Sequence, residues 1–454
     1  MDKFTASLAD YAGSLAYEDL TPAAIHATKR LLVDTFACAI GAYDSEPASI
    51  ARRVAARQSS VPPARVWGSG AASSVEAAAF ANGVMVRYLD FNDTYMSKEA
   101  SHPSDMFAAI LAVCEARRTS GRAALRAIAT ACEIEMALAD SCNLFNKGFD
   151  HGLYIGLGAV AGIGQVMGLT REQLGNAIAL ACTPYVPTRQ SRSGELTMWK
   201  GCAAPASARS AISAAELAAE GMTGPSEAFE GRHGIFEQVT GRFDLVPLSG
   251  RGGPFAVERS GIKYIPTEYN SQLPLYLALQ LRRKIAWEEI DRIHVETYHF
   301  TYTEIGSEPE KWRPTTRETA DHSLPYMLAV TLMDGDISVA SFSDQRIRDP
   351  RLPSLMDRIA ISENAEFSRR YPEAMDCRIE VTAKDGRRLV EQGSHPKGHA
   401  KNPMTDAEVE EKYWKLCEGR LRRQGARALL DAVWKLETLP DAGELTALVK
   451  VDKP

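Results

Sequence analysis

Two hydrophobic periodicities follow one another along the chain, and their order constrains the fold more than any other feature. In the first half, apolar residues recur every three to four positions, which is typical of amphipathic helices. For example, Thr21 and Pro22 have the residue types of a helix N-cap and first turn, and Leu32 and Phe36 share a face before Gly41. This pattern predicts a mainly helical first half.

Strand patterns are concentrated in the middle of the chain. Segments 292–300 and 377–383 alternate apolar and polar residues, as half-buried strands do. Segment 388–391 follows the second of these across Asp385-Gly386, a pair favoured in tight hairpin turns. One helical stretch, 324–333, lies between the strands. The middle of the chain is therefore predicted to be an α+β unit.

The helical pattern returns at Thr405, which is predicted to form a capping box with Glu408. Because the strands are confined to a central insertion, we expect the two chain ends to pack together. The predicted fold is mainly α, with a large all-helical domain from residues 1–267 and 401–454 and a smaller α+β lid domain from residues 268–400. A cleft between two such domains is the default position of a ligand site.

Charge and hydropathy exclude several classes of protein. The formal net charge is −6, and acidic and basic residues are interleaved, which argues against binding to nucleic acid or to a membrane surface. The N-terminus lacks the apolar segment of a signal peptide, and no run reaches the ~18 apolar residues of a membrane span. These features predict a cytoplasmic protein.

Cysteine spacing and the lack of common motifs argue against a metal or another cofactor. The eight cysteines form no C-x-x-C pair and lie mostly in apolar helical stretches, so we expect them to be reduced and buried. The sequence contains no G-x-x-x-x-G-K-[ST], no G-x-S-x-G and no H-E-x-x-H. Any chemistry is therefore expected to depend on protein side chains alone.

Five polar clusters contrast with this apolar background, each near a predicted helix end. Carboxylates, hydroxyls and an imidazole in 88–94 and 101–105 suit an acid/base site. Asp and Ser are also routine helix caps, and Ser104 is predicted to cap the next helix. The arginines and lysine of 189–202 suit carboxylate binding, but they fit a solvated loop equally well. The other clusters are Asp150-His151, Lys263–Gln272 and Arg317–Ser323.

These segments, taken in order, resemble the MmgE/PrpD family. Asp90-Phe91-Asn92-Asp93-Thr94 followed by His102-Pro103-Ser104-Asp105 is similar to the LDFDDT…HPSD signature of that family. Further similar segments make the resemblance extend over nearly the whole chain: 34–39, 194–203, 317–323, 334–335 and 396–399. The chain departs from the family pattern at Asn92 (usually Asp), at 263–266 (commonly K-x-[YF]-P) and at Asn270 (often His in the classical dehydratases).

The resemblance implies a homodimeric enzyme that needs no metal and has the two-domain fold predicted above. The family includes 2-methylcitrate dehydratases, cis-aconitate decarboxylases and an iminodisuccinate epimerase. Our leading hypothesis is a hydro-lyase that removes water from a small hydroxy-tricarboxylate such as 2-methylcitrate, which would place the protein in propionate catabolism. By position, the resemblance implies an active site formed by Asp90, Thr94, His102, His151, Lys200, Lys263 and Tyr326.

In this hypothesis His102 transfers the proton, and Asp90 orients or charges its ring. His151 or Tyr326 is the complementary acid or base. Cationic and donor groups would bind the substrate and stabilise the developing charge, and these are Thr94, Lys200, Lys263 and Arg192. Three alternatives remain: decarboxylation or epimerisation of a related polycarboxylate, and a non-catalytic relative with a degenerate pocket.

Overall fold

The computed structural model describes residues 1–250 and 253–452. Its first part contains nine helices and a small two-stranded sheet: α1 (Lys3–Ser14), α2 (Pro22–Gly41), α3 (Glu46–Ala55), β1 (Ala64–Arg65), β2 (Ala72–Ser73), α4 (Val75–Tyr88), α5 (Phe107–Arg117), α6 (Gly121–Ser141), α7 (Gly152–Met167), α8 (Arg171–Cys182) and α9 (Ala203–Ala219). The middle part mixes helices and strands: α10 (Gln272–Arg282), β3 (Ile290–Thr297), α11 (His299–Thr301), α12 (Arg317–Ala320), α13 (Leu324–Asp334), α14 (Asp344–Ile347), α15 (Leu352–Met356), β4 (Ile359–Glu363), α16 (Ala365–Arg370), β5 (Cys377–Ala383) and β6 (Arg388–Gly393). The last part is again helical: α17 (Asp406–Cys417), α18 (Arg423–Trp434) and α19 (Gly443–Ala447).

Several helix ends follow directly from local sequence. The Thr21 hydroxyl accepts the Ala24 N–H at 3.0 Å, and Pro22 is the first residue of α2, as predicted. The capping box of Thr405 with Glu408 at the start of α17 is also confirmed. Each side-chain oxygen satisfies a backbone N–H that has no partner within the helix.

Two glycines let α7 lie close against α6. A Cβ atom at Gly158 would be 2.7 Å from the Ala131 carbonyl oxygen, and one at Gly162 would be 2.6 Å from the Ala127 carbonyl oxygen. Both distances are too short for a methyl group, so the close approach of the two helices depends on glycine. This packing fixes α7, whose first turn follows His151.

The middle part is built on a four-stranded sheet in the order β4-β3-β5-β6. Strand β3 is parallel to β4 and antiparallel to β5, and β5 and β6 form the predicted hairpin. Gly386 in its turn has a φ of +87°, a left-handed conformation that glycine adopts without steric cost. Helix α10 packs on β5 and β6, and α13 packs on α10.

The chain has two large hydrophobic cores. One contains buried residues between Phe4 and Ile262 together with residues between Met404 and Val449, and the other contains residues between Ile265 and Ala383. The predicted fold class is therefore confirmed: a large helical part from both chain ends and a smaller α+β part. The domain boundaries at 267/268 and 400/401 remain a prediction.

Ser104 does not cap α5, contrary to the sequence prediction. The chain first makes a 3₁₀ turn, Pro103–Met106, and α5 begins after it. The Ser104 N–H instead donates to Asp93 Oδ1 at 3.2 Å, and the Ser104 hydroxyl accepts a hydrogen bond from Asn92 Nδ2 at 2.9 Å. The residue therefore braces the loop that precedes the turn rather than the helix.

All eight cysteines are buried and unpaired, as their positions in apolar stretches predicted. Over the ranges 1–250 and 253–452, none of the helices has both the length and the hydropathy needed to cross a bilayer.

Candidate active site

A narrow cavity of about 60 Å³ lies between the two parts of the molecule. Both parts contribute polar side chains to its wall. The helical part supplies Arg87, Asp90, Thr94, Glu99, His102, His151, Arg189 and Arg192, and the segment between Lys263 and His322 supplies Lys263, Glu268, Glu304, Lys311 and His322. Six of the eight residues predicted to form the site line this one cavity, although they are far apart in sequence.

The turn after α4 places Asp90 at the centre of the site. Asp90 has a φ of +51°, in the left-handed region that Asp and Asn tolerate better than most residues. Four residues later, the Thr94 N–H donates to the Gly261 carbonyl, and the Gly261 N–H donates to the Thr94 carbonyl, both at 2.8 Å. These bonds hold the Asp90 loop against the segment that carries Lys263.

Asp90 binds three buried cations. Arg87 forms an ion pair with Oδ1, Lys263 Nζ lies 2.9 Å from the same oxygen, and Lys200 Nζ lies 3.1 Å from Oδ2. Burial alone would raise the pKa of Asp90, but the three cations together hold it well below its usual value. Burial lowers the pKa of Lys200 to about 7 in spite of the attraction of Asp90. Three cations around one carboxylate leave positive charge for an anionic ligand.

His102 is held as a neutral imidazole. Its Nδ1 lies 2.7 Å from the Asp93 carbonyl oxygen and 3.1 Å from Thr94 Oγ1, and its Nε2 lies 3.1 Å from Arg87 Nη2. A guanidinium only donates, so Nε2 accepts and Nδ1 carries the proton. Burial, followed by the charge of Arg87, lowers the pKa of His102 well below its usual value. Arg87 lies between Asp90 and His102, because it binds the Asp90 carboxylate as well as His102 Nε2.

His151 has a similar environment. Arg192 forms an ion pair with the buried carboxylate of Asp150 and also lies 3.3 Å from His151 Nε2. Burial lowers the pKa of His151 to about 3. The rings of His102 and His151 are 5.5 Å apart between centroids. Two neutral imidazoles, each next to a guanidinium, therefore share one wall of the cavity.

Tyr326 does not belong to the site, and its predicted role as an acid or base is wrong on geometry. Its hydroxyl donates to the Ser341 carbonyl oxygen at 2.6 Å, within the core of the lid. Four residues earlier, in the turn between α12 and α13, His322 faces the cavity, with Nε2 3.7 Å from Asp90 Oδ2 and Nδ1 2.6 Å from Asp321 Oδ1. His322 belongs to the polar cluster Arg317–Ser323 but was not among the predicted site residues.

Comparison with known proteins gives a consistent result. The MmgE/PrpD N-terminal domain matches residues 6–247, and the MmgE/PrpD C-terminal domain matches residues 265–438. The chain belongs to the MmgE/PrpD family. It is 29% identical to the 2-methylcitrate dehydratase of Salmonella typhimurium over 88% of this chain and 86% of that protein. It is 30% identical to the 2-methylcitrate dehydratase of Escherichia coli over 71% of both, and 25% identical to the cis-aconitate decarboxylase of Homo sapiens over 100% of this chain and 96% of that protein.

One departure from the family signature has a local explanation. Asn92 stands where the MmgE/PrpD signature usually has Asp, and its Nδ2 donates to Asp105 Oδ1 at 3.1 Å as well as to Ser104. Burial raises the pKa of Asp93 to about 7 and that of Asp105 to about 6. A carboxylate at position 92 would add a further buried negative charge beside these two, whereas an amide provides a donor.

Sequence reasoning missed several lining residues in this MmgE/PrpD chain. Arg87 is the most central, and the available signal was a lone charged residue in the apolar run 84–89, three positions before Asp90. Glu304 pairs with Arg189 across the cavity, with Arg189 Nη2 2.6 Å from Glu304 Oε2. The lid residues Glu268 and Lys311 were missed because no local pattern indicates which lid side chains face the other domain.

Among the described residues, one group has the composition of a metal site. Ligand atoms of Asp90, Asp321 and His322 lie within 4.8 Å of one another. However, Asp90 already binds Arg87, Lys200 and Lys263, and Asp321 binds Arg317 at 3.2 Å. A divalent cation would meet this positive charge at short range. The cations around these ligand atoms therefore favour an anion over a metal ion at this place.

Proposed function

We propose that this protein is a hydro-lyase that removes water from a small hydroxy-polycarboxylate such as 2-methylcitrate by acid/base catalysis with its own side chains. The observation that supports this most is the group of Arg87, Lys200 and Lys263 beside the neutral His102. A proton leaving a carbon next to a carboxylate creates negative charge that spreads onto that carboxylate. Fixed cations stabilise this charge in the transition state, as the donors of an oxyanion hole do.

In the proposed reaction, His102 takes the proton from carbon. In the structure, Arg87 donates to His102 Nε2 and so covers its only lone pair. A substrate carboxylate competes for the guanidinium and uncovers that lone pair. The C–H electron pair then forms the double bond, the C–O bond breaks, and the hydroxyl leaves as water after it receives a proton. Lys200 and Lys263 bind the remaining carboxylates, with Thr94 and Arg192 as further donors.

The size of the cavity requires a motion. Pockets for small ligands usually have volumes of roughly 300–1,000 Å³, whereas this cavity has about 60 Å³. A tricarboxylate therefore enters only if the lid moves away from the helical domain, and closure then excludes water from the reacting groups.

The reaction is tested by incubating the purified protein separately with 2-methylcitrate, citrate, cis-aconitate and iminodisuccinate, and by following the products with proton NMR. We expect loss of water from 2-methylcitrate. Decarboxylation of cis-aconitate alone would indicate the activity named for the human relative, and epimerisation of iminodisuccinate alone would indicate the third family reaction. No turnover of any of the four acids would contradict the proposal.

The role of His102 is tested by His102→Ala. Turnover should fall by roughly 10²–10⁴-fold, the usual contribution of a positioned acid or base, while the circular dichroism spectrum stays unchanged. His233→Ala provides a matched control because His233 is exposed on the helical part. If the His102→Ala protein is fully active, His102 is not the base, and the role would be assigned to His151.

The assembly and location of the protein remain proposals. We propose a cytoplasmic homodimer, on the basis of the family resemblance. Light scattering coupled to size exclusion should then give twice the chain mass of 49.5 kDa. The mass of a single chain would contradict the dimer without affecting the proposed chemistry.

A further inference from the structure

Glu268 is a carboxyl group on the lid side of the cavity with no role so far. It precedes the short 3₁₀ turn Tyr269–Ser271, and its backbone N–H donates to the Asp321 carbonyl at 3.0 Å. Its side chain lines the cavity and is only half-buried because it faces that space. The backbone therefore fixes Glu268 to the lid, and its side chain shares the cavity with His102 and His151 of the helical part.

Asn270 holds the Glu268 carboxyl in place through two hydrogen bonds. The Asn270 backbone N–H donates to Oε2 at 2.7 Å, and the Asn270 side-chain Nδ2 donates to Oε1 at 2.6 Å. The Asn270 amide is itself oriented by the Tyr298 hydroxyl, which donates to its Oδ1. Asn270 occupies the position often held by His in the classical dehydratases, and here it orients a carboxyl group.

Most other carboxylates around the cavity are neutralised by cations. Asp90 binds Lys200 and Lys263, Asp150 binds Arg192, and Glu304 binds Arg189. The cations hold the pKa values of Asp90 and Asp150 below their usual range, and Arg189 opposes the rise that burial causes in the pKa of Glu304. All three are therefore poorer proton donors than a carboxyl group without a cation partner.

No residue in the described part of the chain forms such an ion pair with Glu268. Burial raises its pKa to about 7, although Lys263 opposes the shift and Asp90 adds to it. At neutral pH it therefore exists in both protonation states, as a general acid must.

Glu99 is the other candidate on the cavity wall. Burial also raises its pKa to about 7, but the carboxyl is 3% exposed, and its Oε2 accepts the N–H groups of Leu144 and Phe145, both at 2.8 Å. Arg189 and Asp150 are its charged neighbours, whereas those of Glu268 include Lys263 and Asp90. Glu268 is therefore the carboxyl group associated with the cations that bind the reacting carboxylate.

We propose that Glu268 is the catalytic acid that protonates the leaving hydroxyl of the substrate. This step rests on the proposed hydro-lyase function. His102 removes the proton from carbon, the C–O bond breaks, and the Glu268 proton joins the departing oxygen, so that water leaves and Glu268 becomes a carboxylate. The proton on His102 and the charge on Glu268 are restored through solvent when the lid opens. Because Glu268 belongs to the lid, the acid reaches the hydroxyl only after closure has excluded water.

The test compares wild-type protein with Glu268→Gln, which keeps the shape of the side chain but cannot donate a carboxyl proton. We expect kcat to fall by roughly 10²–10⁴-fold with little change in KM. In the wild type, kcat should decrease as the pH rises through about 7, because the acid must be protonated. This alkaline decrease should be clearly smaller in Glu268→Gln, where the loss of the Lys200 proton near pH 7 still contributes.

A second substrate separates acid catalysis from a structural effect. In an analogue with fluorine in place of the leaving hydroxyl, fluoride departs without being protonated. Glu268→Gln should therefore eliminate fluoride at close to the wild-type rate, although it is impaired with the hydroxy acid. Tyr298→Phe, which releases the positioning amide of Asn270, should lower kcat for the hydroxy acid and spare the fluoro analogue. Glu310→Gln, on the exposed surface of the lid, is the matched control for both substrates.

The possible outcomes are distinct. An active Glu268→Gln protein with an unchanged alkaline decrease would overturn the role of Glu268 and leave the hydro-lyase function intact. Equal losses with the hydroxy and fluoro substrates would also overturn it, because they indicate a disturbed site. A Glu99→Gln protein that loses the alkaline decrease while Glu268→Gln keeps it would assign the acid to Glu99 instead. Wild-type protein that converts none of the acids would refute both proposals.

Discussion

Asp90→Asn is the substitution that tests the electrostatics of the site most directly. Asparagine has the same size as aspartate and also tolerates the left-handed φ of +51° at this position, so the backbone should not be strained. The substitution removes the negative charge to which Arg87, Lys200 and Lys263 are bound. All three cations would then be buried together without their common partner.

The expected cost follows from the burial of these groups. Removing one partner of a buried ion pair destabilises a protein by about 3–5 kcal/mol. With an unfolding entropy of about 2.1 cal/mol/K per residue, taken over the whole chain or over the helical domain alone, this corresponds to a decrease in Tm of roughly 3–7 °C. Lys200 limits this loss of stability. Its pKa of about 7 lets it lose its proton instead of remaining charged and unpaired.

The sign of the pH dependence is a stricter test. A buried lysine whose folded-state pKa lies below its unfolded value binds more protons when unfolded, so stability increases with pH. Asp90→Asn removes an attraction that raises the pKa values of Lys200 and Lys263, so both fall further. The deficit relative to wild type should therefore be largest near pH 6 and should narrow by pH 9.

Thermal unfolding followed by circular dichroism at pH 6, 7.5 and 9 measures this deficit. Asp10→Asn is the control, because it breaks only an exposed ion pair with Arg171 and should leave the Tm almost unchanged. A decrease of less than about 1 °C at pH 6, or a deficit that does not shrink with increasing pH, would refute the electrostatic account of the site.

Three further predictions concern residues around the site and its cofactors. Tyr326→Phe removes only the bond to the Ser341 carbonyl, so it should lower the unfolding free energy by about 0.5–1.5 kcal/mol and leave kcat unchanged; a loss of turnover would return Tyr326 to the site. Lys412→Met leaves the buried Asp34 without its ion-pair partner and should cost about 3–5 kcal/mol in a thermal unfolding assay, whereas an unchanged Tm would contradict the pairing. Exhaustive treatment with EDTA should leave turnover unchanged, and activity that is lost and then restored by zinc or iron would contradict a metal-free reaction.

The secondary structure could be predicted from the sequence because its determinants are local. The helix beginning at Pro22 depends on a cap one residue away, and the hairpin around Gly386 depends on two turn residues between alternating strands. The prediction failed at Ser104, where a serine in the usual position for a cap bonds to the preceding loop instead. There, the hydrogen-bond partners of Ser104 are Asn92 and Asp93, which lie outside the helix.

The site was predictable only in part because its geometry is tertiary. Polar residues in an apolar stretch indicated Asp90, His102 and Lys200, since buried charges need partners wherever the chain brings them together. The choice between His322 and Tyr326 depended on which of the two side chains points to the other domain. Tyr326 is buried and the His322 side chain is only 14% exposed. Hydrophobic periodicity therefore does not distinguish the two residues.

The two imidazoles of the cavity are not equivalent, and their difference favours His102 as the base. Each lies next to an arginine that also binds an aspartate: Arg87 with Asp90 for His102, and Arg192 with Asp150 for His151. In His102, Nδ1–H donates to a backbone carbonyl at 2.7 Å, which fixes both the tautomer and the ring orientation. In His151, Nδ1 lies 3.8 Å from Asp150 Oδ1, beyond hydrogen-bond range, so its ring is less firmly oriented.

A base must present its lone pair at a defined position, and of these two rings His102 is the one with an anchor on the side opposite the lone pair. Arg87 also belongs to the group of cations that would bind the reacting carboxylate, so the binding of an anion there acts directly on His102.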